Sequence, residues 1–322
     1  MAYFAFFRFW IDMIETCKKY IDLFRCILGV RQDSECLKYV TKSLSSKNQH
    51  YLYKSVIKLY DTDISFLDAT KEEFIGSGYG ASSLNTYRYL ENKYGDKFFE
   101  KIYFKDHQEV SRIQEFDRYL KPYLKERGYE VPDILYKIEG RELCIVYYNY
   151  LVLNPFNSKI DAFKFNIVLI SDLISIPDNI KKEIGFKNYR DEIMFIRRLN
   201  KLVKKGIDKK YIEEKMDILG CLKTVITHFD LNKKNVYKNN TVVDWDRFGK
   251  TNYGYDIAVN IAFNYPFCTR KGIIDYEYIK ETVELYYGEK EDILIQAIIF
   301  LVFVFMIDSE YENFVDFNSM IK

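Results

Sequence analysis

Histidine is scarce in this sequence, and its cysteines show no paired spacing. The three histidines are isolated from one another, and the six cysteines contain no CxxC pair. Structural zinc sites combine Cys and His ligands at short spacings, so we expect no zinc site. Scattered thiols without a recognisable secretory signal are typical of a reducing compartment, which predicts a cytoplasmic protein.

The sequence also lacks an excess of charge of either sign. It has 48 basic and 47 acidic side chains, for a net charge of +1. A protein that binds nucleic acid through its overall charge has a basic surplus, so no nucleic-acid partner is expected. With only five prolines, 48% hydrophobic residues and no low-complexity tract, the composition is that of a folded globular protein.

No hydrophobic run reaches the length of a membrane-spanning helix, which needs about 20 apolar residues. The stretch 293–307 is shorter than this, and we interpret it as a buried helix. The stretch 2–14 is aromatic and is interrupted by Arg8 and Asp12. It either packs against the rest of the chain or lies in a membrane interface, which would make the protein peripheral to a membrane.

The order of patterns along the chain predicts an α+β protein with two lobes. Residues 1–65 show helical spacing of apolar positions and form a helical N-terminal extension. Residues 66–152 contain short alternating segments separated by turns, which predict a small antiparallel sheet lobe that binds nucleotide. Residues 153–322 are mostly helical and form a larger lobe with catalytic and acceptor-binding roles.

The strongest chemical signal is the segment ITHFDLNKKNVYKNNTVVDWDRFG. Its polar residues His228, Asp230 and Asn235 are followed by an Asn239-Asn240 turn and then Asp244 at the end of a short apolar strand. Phosphoryl transfer needs a carboxylate that accepts or orients the proton of the attacking hydroxyl, and oxygen ligands that hold magnesium against the phosphates. Asp230 fits the first role, Asn235 and Asp244 fit the second, and His228 is placed to brace the loop.

These motifs resemble those of the aminoglycoside phosphotransferase and choline kinase superfamily. The usual HGDLHPGN and IDWD of that superfamily read here as HFDLNKKN and VDWD, and Asp256 in GYDIA resembles its helix-anchoring aspartate. The resemblance covers roughly residues 222–262 and implies the protein-kinase-like fold. Phe229 stands where glycine is usual and Lys233-Lys234 where Pro-Gly is usual, which predicts a difference in loop geometry or substrate preference.

A glycine-rich turn upstream predicts a cover for the nucleotide phosphates. Gly76, Gly78 and Gly80 lie in GSGYGASS after a short strand, and Ser82 adds a hydroxyl donor. Glycines let backbone N–H groups approach phosphates closely. Residues 142–150 would then contain the last strand before the hinge between the two lobes. Backbone groups of residues 147–150 would be available to the adenine edge.

Lys101, in FFEKIYF, alternates with apolar neighbours as a nucleotide-binding lysine on the third strand would. Glu115 follows fourteen positions later on a predicted helix and is expected to pair with it, as in the kinases that the chain resembles. Lys105 with Glu109 is the competing pair. We prefer Lys101 because Lys105 opens a polar turn.

The residues after the metal aspartate bear on the acceptor. Protein kinases carry a long activation segment that ends in an Ala-Pro-Glu anchor, whereas eleven residues separate Asp244 from Asp256 here and no such anchor is present. The position two after Asp230 is Asn232, where many serine/threonine kinases carry lysine. The sequence therefore predicts an ATP- and Mg²⁺-dependent phosphotransferase whose acceptor is a hydroxyl of a small molecule or sugar. Two alternatives stay open: a membrane-surface kinase of a lipopolysaccharide or other glycolipid, and a non-catalytic nucleotide-binding pseudokinase.

Overall fold

The computed structural model describes residues 69–77, 86–104, 108–139, 143–268 and 273–321. The predicted N-terminal extension over residues 1–65 lies outside the described residues. The described chain forms two compact units. The first comprises the described residues up to Ser111 together with Pro132–Leu151, and the second comprises Arg112–Val131 and the residues from Val152 onward.

The first unit is built on one antiparallel sheet with the strand order β1-β2-β3-β5-β4. Its strands are β1 (Ala69–Ser77), β2 (Thr86–Asn92), β3 (Lys97–Phe104), β4 (Ile134–Glu139) and β5 (Leu143–Asn149). A turn joins β2 to β3, and the Asn92 side-chain oxygen accepts hydrogen bonds from the Tyr94 and Asp96 N–H groups there. Such local side-chain bonds to the backbone are the reason that asparagine favours turns.

The predicted helix that carries Glu115 is present but irregular. Helix α1 (Gln108–Glu115) continues through a π-helical turn (Phe116–Leu120) into α2 (Lys121–Glu126). The predicted sheet lobe over residues 66–152 includes this stretch, whereas its residues from Arg112 onward group with the second unit. Phe116, in the π-helical turn, stacks on Trp245 with 5.1 Å between ring centroids, which accounts for the grouping.

Helices dominate the second unit. They are α3 (Lys159–Ile174), α4 (Asp178–Glu183), α5 (Ile193–Lys204), α6 (Lys209–Cys221), α7 (Tyr255–Asn264), α8 (Tyr276–Tyr287) and α9 (Asp292–Met306). Side chains of Ser158, Asp208 and Asp275 cap the starts of α3, α6 and α8 by accepting backbone N–H bonds, as N-cap residues commonly do.

Two small antiparallel sheets complete the second unit. One pairs β6 (Thr224–Thr227) with β9 (Gly249–Asn252), and the other pairs β7 (Val236–Tyr237) with β8 (Thr241–Val242). Asn239 and Asn240 in the β7–β8 turn both have positive φ, at 64° and 58°, a conformation that asparagine tolerates better than most residues. The predicted hairpin is therefore present.

Helix α9 is the most buried element of the second unit. Its residues from Ala297 to Met306 are at most 1% exposed, so the apolar stretch 293–307 is a core helix as predicted. Within the described ranges, no helix combines the length and apolarity that crossing a membrane requires. The α+β class, with a small antiparallel sheet and a larger helical part, is confirmed.

Candidate functional site

The loop after β6 is anchored by a buried carboxylate at the start of α7. Both oxygens of Asp256 accept backbone hydrogen bonds, from the His228 N–H at 2.7 Å and the Phe229 N–H at 3.1 Å. Burial raises the pKa of Asp256 to about 7, although the two N–H donors oppose the rise. The helix-anchoring role that the resemblance implies for Asp256 thus has a direct geometric basis.

Phe229 adopts a backbone conformation that normally favours glycine. Its φ is +73°, and its ring is buried at 4.7 Å from the Tyr255 ring centroid. The Lys187 amine lies 4.3 Å from the centre of the Phe229 ring. The chain therefore keeps the left-handed turn at a position where glycine is usual, and the side chain gained there packs into the core.

His228 is buried and braces the loop by two hydrogen bonds. Its Nδ1 accepts the Asp230 N–H at 3.3 Å, and its Nε2 lies 3.0 Å from the Val243 carbonyl oxygen. Since a carbonyl can only accept, Nε2 carries the proton and the ring is neutral. Burial lowers the pKa of His228, against the opposing effect of Asp230 and Asp244. The imidazole therefore links the Asp230 loop to the strand that leads into Asp244.

Two amides orient the carboxylate of Asp230. The Asn232 side-chain amide donates to one carboxylate oxygen at 2.8 Å, and the Asn235 amide donates to the other at 3.0 Å. The Asn235 amide also donates to the Asp230 carbonyl at 2.8 Å. Asp230 is half-buried, so its carboxylate is fixed in direction without being sealed from solvent.

Asn235 and Asp244 are brought together by the β7–β8 hairpin. Val236 pairs with Val242, and the Val243 N–H donates to the Asn235 carbonyl at 2.9 Å. Asp244 comes next and has a φ of +65°, a conformation that an aspartate adopts more readily than most residues. His228, Asp230, Asn235 and Asp244 therefore form one cluster at the end of two short strands, although they are up to 16 residues apart in sequence.

In the first unit, Gly76 and Lys101 lie in one row across the sheet. Tyr87 of β2 pairs with Gly76 on one side and with Lys101 on the other. The pairing of β1 is irregular between Phe74 and Gly76. Lys101 is only 5% exposed, and its amine lies 5.6 Å from the Tyr103 ring centre. Two strand spacings of about 4.8 Å each separate the start of the glycine-rich turn from this lysine in the row.

Glu115 is engaged within the second unit. Its carboxylate accepts the Gly185 N–H at 3.0 Å and lies 3.3 Å from the Arg112 guanidinium. Lys101 belongs to the first unit, and a pair between Lys101 and Glu115 stays a prediction. Gly78, Gly80, Ser82 and the competing Lys105 lie outside the described residues, so their proposed roles also stay predictions.

The backbone of β5 corrects the expected adenine contacts. Tyr147 pairs with Glu100 of β3 and Tyr136 of β4, and Tyr148 pairs with Phe99 and Ile134. Because β5 has a neighbour on each side at these positions, the backbone groups of Tyr147 and Tyr148 are used within the sheet. The expectation that they are available to a base edge is therefore wrong, and only residues after the strand remain for that role.

Sequence reasoning missed a charged cluster beside the loop. Glu192 pairs with Arg247 at 2.5 Å and with Lys187 at 3.2 Å, and the Lys187 amine donates to the Arg247 carbonyl at 2.9 Å. Burial lowers the pKa of Lys187 to about 8, helped by Arg247 and opposed by Glu192. The three residues are scattered over sixty positions and match no motif, so no sequence signal marked them.

Comparison with known proteins identifies structures of similar fold but no related sequence. No protein-family model matches the chain, and no curated protein matches its sequence. Among solved structures it is similar to an amicoumacin kinase in complex with AMP-PNP and Ca²⁺, at 15% identity and a TM-score of 0.50, over 80% of this chain and 84% of that one. It is also similar to the GDP complex of an aminoglycoside 2'-phosphotransferase, at 15% identity and a TM-score of 0.50, over 78% and 86%. The chain thus has the fold of the aminoglycoside phosphotransferase and protein-kinase-like superfamily.

Proposed function

We propose that the protein is an ATP- and Mg²⁺-dependent phosphotransferase that moves the γ-phosphate to a hydroxyl group of a small molecule or sugar. The observation that carries the proposal is the Asp230 carboxylate, half-buried and held at both oxygens by the Asn232 and Asn235 amides. A general base in phosphoryl transfer has to present a fixed carboxylate to the attacking hydroxyl. Asp230 is the base in this proposal, and His228 holds its loop.

Asn235 and Asp244 would hold the magnesium ion. Among the described residues, no group of three or more His, Cys, Asp or Glu side chains is arranged as a metal site. A magnesium ion held by an amide and a carboxylate takes its remaining ligands from nucleotide phosphates and water. The ion would therefore bind together with ATP, and its chemistry would be to neutralise charge on the transferred phosphoryl group.

The nucleotide would be held by the turn from Gly76 to Ser82 and by Lys101 of the first unit, and Glu115, which belongs to the second unit, is the proposed partner of that lysine. The row of Gly76, Tyr87 and Lys101 across the sheet supports this assignment. The named complexes of similar fold contain AMP-PNP or GDP, which supports a nucleotide ligand and leaves the base to experiment.

The acceptor is a small molecule in this proposal. The short segment between Asp244 and Asp256 folds into a 3-10 turn (Trp245–Arg247) and β9, and β9 pairs with β6 along its length. That pairing leaves no room between Asp244 and Asp256 for a long activation segment of the kind that protein kinases carry, which supports the proposal. The proteins of similar fold named above are an amicoumacin kinase and an aminoglycoside phosphotransferase, which supports the same acceptor class.

A second acceptor class, a glycolipid on an anionic membrane, is favoured by the surface of α5 and the turn that follows it. Residues 193–210 carry seven basic side chains and one acidic side chain, and four of the basic ones pair with Asp308, Glu312 or Glu213. Arg197 and Lys204 are exposed, and Ile196 and Val203 on the same helix are 44% and 42% exposed. Basic helices with exposed apolar residues bind anionic lipid surfaces.

The test of the main proposal is transfer of labelled γ-phosphate from ATP to a panel of sugars, amino alcohols and aminoglycosides by the wild type and by Asp230→Asn. We expect a labelled product with the wild type and a loss of at least about a thousandfold with the variant, because the base is removed while the shape is kept. Equal amounts of product from both proteins would show that Asp230 is not the base.

Co-sedimentation with vesicles separates the two acceptor classes. Binding to phosphatidylglycerol vesicles but not to phosphatidylcholine vesicles, reduced in Arg197→Glu/Lys204→Glu, would favour the membrane acceptor. Equal recovery in the supernatant with both lipids would favour the soluble acceptor.

A further inference from the structure

Three buried asparagines form a cluster behind the loop, and two of them donate to the backbone carbonyl of Leu231, the residue that follows Asp230. Asn166 lies on α3, and Asn260 and Asn264 lie one helical turn apart on α7. All three are 0% exposed. Asparagine inside a helix core is disfavoured both by its propensity and by the cost of burying its amide, so its occurrence at three touching positions calls for a specific use.

The hydrogen bonds of these side chains form a closed square. The amide nitrogen of Asn166 donates to the Leu231 carbonyl at 3.2 Å and to the Asn260 side-chain oxygen at 2.9 Å. The amide nitrogen of Asn264 donates to the same two oxygens, at 2.7 Å and 2.8 Å. Asn260 uses its own two N–H groups on the Phe163 carbonyl and the Tyr287 hydroxyl. All six amide hydrogens are therefore used.

The orientation of the square is fixed by the Leu231 carbonyl. A backbone carbonyl only accepts, so Asn166 and Asn264 must turn their nitrogens toward it, and a flipped amide would place two oxygens in contact. The side-chain oxygens of Asn166 and Asn264 then have no hydrogen-bond donor. A buried acceptor without a donor is destabilising, so the arrangement keeps both nitrogens on the carbonyl although two side-chain oxygens stay unpaired.

The square completes the restraint of the backbone at Asp230. The Asp230 N–H is held by His228, and the Asp230 carbonyl accepts from the Asn232 N–H at 2.8 Å and from the Asn235 amide. The next carbonyl, that of Leu231, is the one held by the square. The two peptide groups that flank the Asp230 Cα are therefore held within the loop, and the square holds the next one, which joins Leu231 to Asn232 and whose N–H donates to the Asp230 carbonyl.

We infer that Asn166 and Asn264, linked through the Asn260 side-chain oxygen, are positioning residues that hold the Leu231 carbonyl and so keep the Asp230 carboxylate aligned for proton transfer. This inference rests on the phosphotransferase function proposed above. Misplacement of a catalytic group by about 1 Å can cost roughly a hundredfold in rate. Loss of one donor from the square is expected to lower kcat by about tenfold to a hundredfold, and loss of both by more.

The experiment compares Asn166→Ala, Asn264→Ala and Tyr287→Phe with the wild type in the γ-phosphate transfer assay. The two alanine variants should lose kcat while the KM for ATP changes by less than about twofold, because the proposed nucleotide contacts lie elsewhere. Tyr287→Phe removes a partner of Asn260 without touching the Leu231 carbonyl and should keep kcat within about twofold. Unchanged kcat in both alanine variants, or equal loss in Tyr287→Phe, overturns the inference.

A second variant keeps the test valid if the alanine variants do not fold. Asn264→Asp has the same shape, and its carboxyl can donate to the Leu231 carbonyl only while it is protonated. Its kcat relative to the wild type should fall as pH rises through the titration of that group, whose pKa burial raises, and a ratio that stays flat from pH 5 to about 9.5 overturns the inference. If Asp230→Asn retains activity, the proposed function fails instead, and the two failures are distinguishable.

Discussion

Phe229 combines a left-handed backbone with a buried aromatic ring, and the two features have opposite effects on stability. Truncating a buried phenylalanine costs about 3–5 kcal/mol. At positive φ, a residue with a Cβ is destabilised by about 1–2 kcal/mol relative to glycine. At Phe229, with φ of +73°, the ring must contribute more than the strain costs.

This balance predicts an inverted order for two truncations. Phe229→Gly should be more stable than Phe229→Ala by about 0.5–1 kcal/mol, because glycine relieves the strain and alanine does not. Phe248 is the matched control, since it is fully buried at an ordinary φ of −55°. There Phe248→Gly should be the less stable variant. Urea denaturation measures the free energy of unfolding of all four variants. If Phe229→Gly, like Phe248→Gly, is less stable than the alanine variant, the turn at Phe229 is not strained.

His228 predicts a stability change with pH. Burial lowers its folded-state pKa below the ordinary value of 6.5, so the folded protein binds fewer protons than the unfolded chain. The stabilising contribution of the neutral ring is therefore complete above about pH 6.5 and is lost as pH falls toward the folded-state pKa.

Without divalent ions, the wild type should lose more unfolding free energy between pH 7.5 and 5 than His228→Asn, which has no group that titrates there. Denaturant midpoints at several pH values make the comparison. Parallel curves for the two proteins would mean that His228 is not buried as a neutral ring.

The residues of the candidate site were predictable where chemistry requires a fixed spacing. His228, Asp230, Asn235 and Asp244 lie within one loop and one hairpin, so their proximity follows from local geometry. Asn166, Lys187 and Glu192 come from elements distant in sequence, and only tertiary packing places them beside the loop. An asparagine on the apolar face of a predicted helix can be recognised in a sequence. No sequence pattern marks Lys187 and Glu192 as a pair.

Helix α7 is the element that links the core to the candidate site. It starts after Gly254, which has a φ of +98°, and a Cβ there would lie 3.1 Å from Cγ1 of Ile298 on α9. Asp256 in the first turn of α7 and Asn264, the last residue of α7, both hold the loop after β6. A small displacement at the start of α7 would therefore be transmitted to Asp230.

Gly254→Ala should destabilise the protein by about 2–3 kcal/mol, from backbone strain and overpacking against α9. Gly288→Ala is the control, because its φ of +63° gives strain but nothing lies within 4 Å of the added Cβ, so a loss of about 1 kcal/mol is expected. Thermal unfolding compares the two. Equal losses would mean that α9 yields to the added methyl group.

At the level of elements, the strands and the hairpins were predictable because alternation and turn residues are local signals. The β2–β3 turn and the β7–β8 turn both use asparagine side chains or asparagine backbone conformations. The π-helical turn over Phe116–Leu120 was not predictable, since its apolar spacing is that of an ordinary helix. It depends on the packing of Phe116 against Trp245 and Phe248, which are more than a hundred residues away.

On the scale of the whole molecule, the two units divide the proposed work. The first contains Gly76 and Lys101, and the second contains Asp230, Asn235 and Asp244. Lys101→Ala should raise the KM for ATP by about tenfold or more, because it removes a cation from the phosphates. Lys105→Ala is the comparison. If Lys105→Ala causes the larger increase, the nucleotide lysine is Lys105 and the strand assignment is wrong.

Magnesium-dependent stabilisation by ATP tests the central claim most directly. The melting temperature is measured for the wild type and for Asp244→Asn, with ATP plus Mg²⁺ and with ATP plus EDTA. Asparagine keeps the shape and tolerates the positive φ of Asp244. At ATP about a hundredfold above Kd, binding adds about 2.7 kcal/mol.

We predict a rise of several degrees for the wild type with ATP and Mg²⁺, little rise with EDTA, and loss of the Mg²⁺-dependent part in Asp244→Asn. A wild type that no nucleotide stabilises, or a variant that responds to Mg²⁺ as the wild type does, would contradict a phosphotransferase site built on Asp230, Asn235 and Asp244.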